Sequence, residues 1–279
     1  MAAQHAQQIA EAVATILRAR LWQPAVGIVL GSGLGDLAQR LQHPVSIPYC
    51  DIPHFCPTSA VGHVGCLVSG YLGGLPVVLL QGRVHRYEGI ANHHAAFPIH
   101  CLYALGARCL VTTNAAGGLN QRYRPGDLMV IDSHIDFLWA RRQWCGGERG
   151  GQSPVPPRTP PYDWDWIRAA QAIARRRDIV LHQGCYLGTL GPTYETRSEY
   201  RMFRWCGADA VGMSTIPEVL AASSLGMRVA AFSVITNVAS TDVPHCTTHD
   251  EVVAAGRAAG PQLMDIIEDL LSQQAGPPD

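Results

Sequence analysis

Val26-Gly27-Ile28-Val29-Leu30 runs directly into Gly31-Ser32-Gly33-Leu34-Gly35. The first five residues make a short continuous apolar run, the pattern of a buried strand, and the glycines behind it mark a tight turn. The same pattern recurs along the chain. Residues 65–80 predict two strands around Gly73-Gly74, and 109–113 lead into Asn114-Ala115-Ala116-Gly117-Gly118. Further strands are expected at 128–132, 181–187, 210–212 and 229–236, and helices at 164–177, 197–206, 216–225 and 249–271. Buried strands alternating with helices predict an α/β protein without internal repeats. Residues 141–161 turn to Gly, Pro and Arg with little periodicity, and strand and helix signals resume after them in the same style. That stretch is therefore expected to be an irregular surface loop within one domain spanning 1–279, with 273–279 as a flexible tail.

With 279 residues, 47% of them hydrophobic and 15% charged, and a formal net charge of -1, the chain can bury a substantial core and has no general attraction for polyanions. Nucleic acid and membrane are not expected partners. No apolar run approaches the roughly 20 residues that span a bilayer, and no basic segment followed by an apolar stretch opens the chain, so a cytoplasmic location is expected. The 9 cysteines contain no C-x-x-C pair, which argues against a disulfide framework or a zinc knuckle, and most are expected to be buried thiols. The sequence holds no lysine: all 21 basic residues are arginine. Schiff-base chemistry and the phosphate-binding lysine of a P-loop are thereby excluded.

If the segment Gln81-Gly82-Arg83-Val84-His85-Arg86-Tyr87-Glu88-Gly89 is extended, Arg83, His85 and Tyr87 share one face. Arg presents a fork of donors suited to phosphate, His donates or accepts near neutral pH, and Tyr carries a hydroxyl on a rigid stem. Alone, the segment reads equally as a solvated strand end. The first glycine loop, followed by a helix, would present backbone N–H groups and the Ser32 hydroxyl to an anion, or it is a structural turn. It is no dinucleotide fingerprint, because Asp36 stands where the last glycine would be needed. Three helix starts carry capping-box spacing: Thr196 with Glu199, Thr215 with Glu218, and Thr248 with Glu251. Glu195, Ser214 and His249 flank these caps, at helix N-termini that favour anions. A serine-hydrolase elbow at Ser214 is ruled out by Ile216, which stands where glycine is required. His93, His94, His100 and His134 are expected to be structural, and no His, Cys and carboxylate set has metal-ligand spacing, so no metal is expected.

Taken together, seven blocks in order resemble the trimeric, low-mass purine nucleoside phosphorylases. They are Gly31-Ser32-Gly33-Leu34-Gly35, Gly62-His63-Val64-Gly65, the stretch from Gly82 to Gly89, Thr113-Asn114-Ala115-Ala116-Gly117-Gly118-Leu119, Gly191-Pro192-Thr193-Tyr194-Glu195-Thr196, Val211-Gly212-Met213-Ser214-Thr215-Ile216-Pro217-Glu218, and Ile235-Thr236-Asn237. The similarity runs from about Gly27 to the final helix. It implies a single-domain phosphorylase/hydrolase-like fold with a central mixed β-sheet flanked by helices, a homotrimer with active sites near subunit interfaces, and no cofactor beyond phosphate as co-substrate. It implies a phosphate site of Ser32, His63, Arg83, His85, Ser214 and the Ala115 backbone N–H. Tyr87, Met213, His249 and Tyr194 match ribose contacts, and Glu195 and Asn237, with Val211 and Gly117, match the base site. His85, Glu195 and Asn237 are the implied catalytic residues.

The implied reaction is reversible phosphorolysis of purine nucleosides to free base and ribose 1-phosphate. Asn237 favours 6-oxopurine nucleosides, namely guanosine, inosine and their deoxy forms, and leaves xanthosine open, because adenosine-type relatives carry Asp there. The chain departs from the family in two places. Arg158-Thr159-Pro160 stands nearest to an Arg-Phe-Pro that carries an aromatic ring into a neighbouring subunit, and Val238 replaces a common Lys. The competing readings are a 5′-methylthioadenosine- or adenosine-type phosphorylase, a hydrolase using water, and a non-catalytic nucleoside or phosphate-binding protein.

Overall fold

The five residues Val26–Leu30 form strand β1, buried at every position. A strand apolar on both faces needs cover on both, and β1 accordingly lies inside the sheet, parallel to β4 (Leu75–Gln81) on one side and β5 (Cys109–Gly118) on the other. The structure, a computed structural model, describes residues 2–19, 23–58, 63–139, 160–239 and 248–274. The expected loop at 141–161 and tail at 273–279 fall almost wholly outside these residues. Strand β3 (Cys66–Leu72) pairs antiparallel with β4 across Gly73 and Gly74, whose φ values of 57° and 80° build the two-residue turn that only glycine forms readily.

Beyond β1 the sheet closes on itself. Strand β5 runs parallel to β9 (Arg228–Val238), and its last residues Gly117 and Gly118 pair antiparallel with β8 (Ala210–Gly212). From β8 the pairing passes to β7 (Leu181–Gly188), to β6 (Leu128–Asp136) and back to β9. The nine strands, counting β2 (Gln42–Pro48) outside β3, thus make one mixed sheet whose far half is a ring. Helices α1 (Ala2–Arg18), α2 (Asn92–Ala104) and α5 (Ile216–Ser224) pack as one group, and α3 (Trp164–Arg176) and α6 (His249–Ser272) as another, both groups reaching the sheet. Helix α4 (Arg197–Trp205) packs Phe203 into a smaller apolar cluster with Leu119, Leu187 and Val211. The fold is a single α/β domain with a central mixed sheet flanked by helices.

Several expectations need correction. Helices α1 and α2 and strand β2 were not legible in the sequence pattern. The segment after the first glycine loop is a 3-10 turn at Gly35–Arg40 and not an α-helix. Of the seven described cysteines, all unpaired, only Cys101 is fully buried, while Cys50 and Cys206 are exposed. Their thiols sit at element ends and surfaces more than in the core. No described helix is long and apolar enough to cross a membrane.

Candidate active site

The carboxyl-terminal parts of strands β1, β4, β5, β8 and β9, or the residues directly after them, border one cavity, as in α/β sheets they commonly do. The cavity encloses about 110 Å³ and is lined by Ser32, His63, Arg83, His85, Tyr87, Ala115, Gly117, Tyr194, Glu195, Val211, Met213, Ser214, Asn237 and His249. Every site residue expected from the sequence is therefore in one place. Asn114 and Thr236, which stand in the matching blocks without an assigned role, line it too, as do Tyr200 and Val252, which lie outside every block.

Arg83 is buried, with both terminal nitrogens of its fork hydrogen-bonded to protein. Its Nη1 donates to Ser214 Oγ at 3.2 Å and to Thr215 Oγ1 at 3.0 Å, its Nη2 donates to the Thr113 carbonyl, and its Nε lies 3.3 Å from Glu218 Oε1. The Nε approach is a charge contact and not an aligned hydrogen bond. Glu218 is itself buried and accepts from Thr112 Oγ1 at 2.6 Å. A lone guanidinium or carboxylate at this depth would be severely penalised, and the pairing removes that penalty. This arrangement overturns the expected Thr215–Glu218 capping box: Thr215 makes no side-chain cap, and Glu218 turns inward to the arginine.

Thr215 is held instead at φ 71° and ψ -49°, with the Ile216 N–H donating to the Ser214 carbonyl at 2.8 Å. That is the strained form of the γ-turn, and a β-branched residue adopts it only under strong constraint. The constraint is visible. Thr215 Oγ1 accepts from Arg83 Nη1 and from Asn114 Nδ2 (2.9 Å), so its own hydrogen is directed to Ser214 Oγ at 3.3 Å. Ser214 Oγ then receives two donors and turns its own O–H outward.

Arg83, His85 and Tyr87 do converge, but not on a strand. Strand β4 ends at Gln81, Gly82 turns the chain at φ 109°, and Arg86–Glu88 is a 3-10 turn. At Gly82 a Cβ would stand 2.6 Å from His63 Cβ, so the glycine lets His63 close over the loop. The rings stack in series: His63 on His85 with centroids 5.2 Å apart, and His85 on Tyr87 at 4.9 Å. His63 Nδ1 lies 3.0 Å from the Arg83 N–H and 2.8 Å from the Arg83 carbonyl, while Nε2 meets Ser32 Oγ at 3.1 Å. Burial, reinforced by the neighbouring His85, lowers the His63 pKa to about 4, so this ring is neutral near pH 7. Glu88 Oε1 accepts the His85 N–H at 2.6 Å and lies 3.1 Å from its Nδ1, which orients the imidazole.

The same cavity is lined by an amide, Asn237, and a carboxylate, Glu195. Asn237 Oδ1 lies 3.0 Å from Thr236 Oγ1, whose one hydrogen also has the Ala116 carbonyl within reach at 3.3 Å. Glu195 Oε1 accepts from Thr189 Oγ1 at 3.0 Å, and burial raises the carboxyl above its ordinary value while this donor opposes the rise. Thr196 and Glu199 form the expected capping box at the start of α4, which fixes the chain direction directly after Glu195. The box of Thr248 and Glu251 is present as well and sets His249 at the start of α6. One cavity thus brings together anion-attracting groups and a pair able to donate and accept hydrogen bonds. Arg158 and Thr159 lie outside the described residues, and among those described no three metal-ligating side chains gather.

Residues 25–272 match the family model described as the phosphorylase superfamily. The chain is 40% identical over 250 residues to purine nucleoside phosphorylase 1 of Bacillus subtilis (strain 168), covering 90% of this chain and 92% of that one. The chain belongs to the purine nucleoside phosphorylase family. It is accordingly an enzyme of the pentosyltransferase class. The purine nucleoside phosphorylase of Rattus norvegicus is 39% identical, with 89% of each chain covered. Solved structures of the Schistosoma mansoni enzyme, in complex with adenosine and with inosine, superpose with TM-scores of 0.88 at 35% identity, covering 98% of each chain.

Proposed function

We propose that the protein catalyses reversible phosphorolysis of 6-oxopurine ribo- and deoxyribonucleosides, guanosine and inosine first, giving free purine and (deoxy)ribose 1-phosphate. The observation that carries this reading is that one cavity is lined both by Arg83, Ser32 and Ser214 and by Glu195 and Asn237. Phosphate is a feeble nucleophile, so the reaction gains most by stretching the glycosidic bond before attack, which builds positive charge on the sugar and negative charge on the base. Phosphate held by Ser32, Ser214, His63, His85 and the Ala115 N–H faces the sugar. Arg83, hydrogen-bonded to protein through both terminal nitrogens, contributes its charge and aims the Ser214 hydroxyl. Tyr87, Met213, Tyr194 and His249 enclose the ribose. Asn237 Nδ2 donates to N7 of the departing purine, and the Glu195 carboxylate accepts from N1–H and a 2-amino group, with Val211 and Gly117 beside the ring.

Phosphate is the only co-substrate in this reading, and no metal or organic cofactor takes part. A homotrimer with active sites near subunit interfaces, a cytoplasmic location and a role in purine salvage complete it. Inosine, guanosine, xanthosine and adenosine offered separately, with and without phosphate, test the whole. Base release from inosine and guanosine that requires phosphate is expected. Preference for adenosine or 5′-methylthioadenosine, release without phosphate, or saturable binding with no release would each overturn it. Adenosine belongs in the panel because a relative of 35% identity was solved with it.

A further inference from the structure

Thr189 is the first residue after β7, and it is buried although polar. It makes two connections at once. Its N–H donates to the carbonyl of Gly212, the last residue of β8, at 2.8 Å, and its Oγ1 donates to Glu195 Oε1 at 3.0 Å. The Gly212 carbonyl also lies 3.5 Å from Oγ1, but the hydroxyl has one hydrogen, and the nearer, charged acceptor takes it.

The bridge from Thr189 to Glu195 closes a loop whose middle faces solvent: Leu190, Pro192, Thr193 and Tyr194 are all exposed. Near its start the loop packs against Met213, so closely that a Cβ on Gly191 would collide with the Met213 sulfur. At its far end the capped start of α4 fixes the direction of the backbone after Glu195. A helix cap does not choose the rotamer of the residue before it, and a glutamate has three side-chain torsions to settle. The Thr189 hydroxyl settles them by tying the carboxylate to the buried end of the sheet. Because Gly212 leads directly into Met213 and Ser214, the residue that holds Glu195 is also tied to the segment that carries the Ser214 hydroxyl.

We propose that Thr189 is a positioning residue for the nucleobase: its hydroxyl, anchored to β8 through its own backbone, aims the Glu195 carboxylate at the base. This rests on the reading that Glu195 meets the base. The test is the KM for inosine, guanosine and phosphate, with kcat, in the wild type, Thr189→Val, Thr189→Ser and Glu195→Ala, and in Thr189→Val combined with Glu195→Ala. Where turnover is too slow, calorimetry with inosine gives the dissociation constant instead. Thr189→Val keeps the bulk and the backbone N–H and loses the donor. It raises KM for inosine and guanosine on the order of tenfold, the worth of one hydrogen bond to a charged group, while kcat and the KM for phosphate change less. Thr189→Ser restores the nucleoside KM. In the Glu195→Ala background Thr189→Val weakens inosine binding no further, because the hydroxyl then has no carboxylate to aim. Thr189→Ala removes the same donor with a smaller side chain and keeps the test available if the valine variant does not fold. An unchanged nucleoside KM in a folded variant overturns the proposal, as does a rise shared equally by phosphate or one that persists in full without Glu195. If Glu195→Ala itself leaves inosine binding intact, the base-site reading fails; if it cripples binding while Thr189→Val changes nothing, only the role of Thr189 falls.

Discussion

Arg83 and Glu218 are buried together, and each makes the other tolerable. Replacing Glu218 by Ala strands a guanidinium in the interior and is expected to lower unfolding free energy by about 3–5 kcal/mol, measured by chemical denaturation. The same variant is expected to raise KM for phosphate, because the freed fork no longer holds Ser214 and Thr215 in place. Asn237 works differently. With inosine, Asn237→Ala is expected to lower kcat on the order of 100-fold or more, with KM for phosphate little changed, because its donor matters only as the base departs. At this scale the sequence was readable where a motif fixes the backbone, as in Met213-Ser214-Thr215. It misled where a side chain turns away from the role its spacing suggests. Glu218 belongs to that second kind: the spacing of Thr215 and Glu218 suggested a cap, and only the fold shows the carboxylate turned to Arg83.

Secondary-structure elements were legible in proportion to how one-sided their surroundings are. Helix α2 lies against both α1 and α5, so no polar face marks its period, and Pro98 inside it reads as a break. Strand β2 is an edge with two prolines, and its mostly exposed residues carry no apolar run. The buried β1 and the hairpin of β3 and β4, in contrast, announce themselves through apolar runs and a double glycine. The caps offer a clean comparison. Thr248→Ala and Thr196→Ala are each expected to cost about 1 kcal/mol in thermal or chemical unfolding, since each threonine accepts an N–H three residues on. In α6 the loss falls directly beside His249, so reduced affinity for the nucleoside should accompany it.

For the molecule as a whole, buried neutral histidines tie stability to pH. Burial, with His85 beside it, lowers His63 to about 4, and burial, with His5 beside it, lowers His100 to about 4. The ordinary histidine value is 6.5, so the unfolded chain binds these protons at a pH where the folded chain does not. Their contribution is complete above about pH 6.5 and shrinks as pH falls toward about 4. Denaturant midpoints at about pH 7.5 and about pH 5.5 should differ by roughly 2–3 kcal/mol in unfolding free energy, and His100→Phe should remove about half of that slope.

The ring formed by β5, β8, β7, β6 and β9 has one more effect. Because β9 returns to β5, the described strands leave a single raw border, at β2. That border is short, carries Pro44 and Pro48, and slips register between Gln42 and Val45. A foreign strand seeking to stitch itself on finds missing amide hydrogens and a kink where it would need a straight seam. Edge-to-edge strand pairing is thereby closed off as a route by which copies of a nearly half-apolar chain could join.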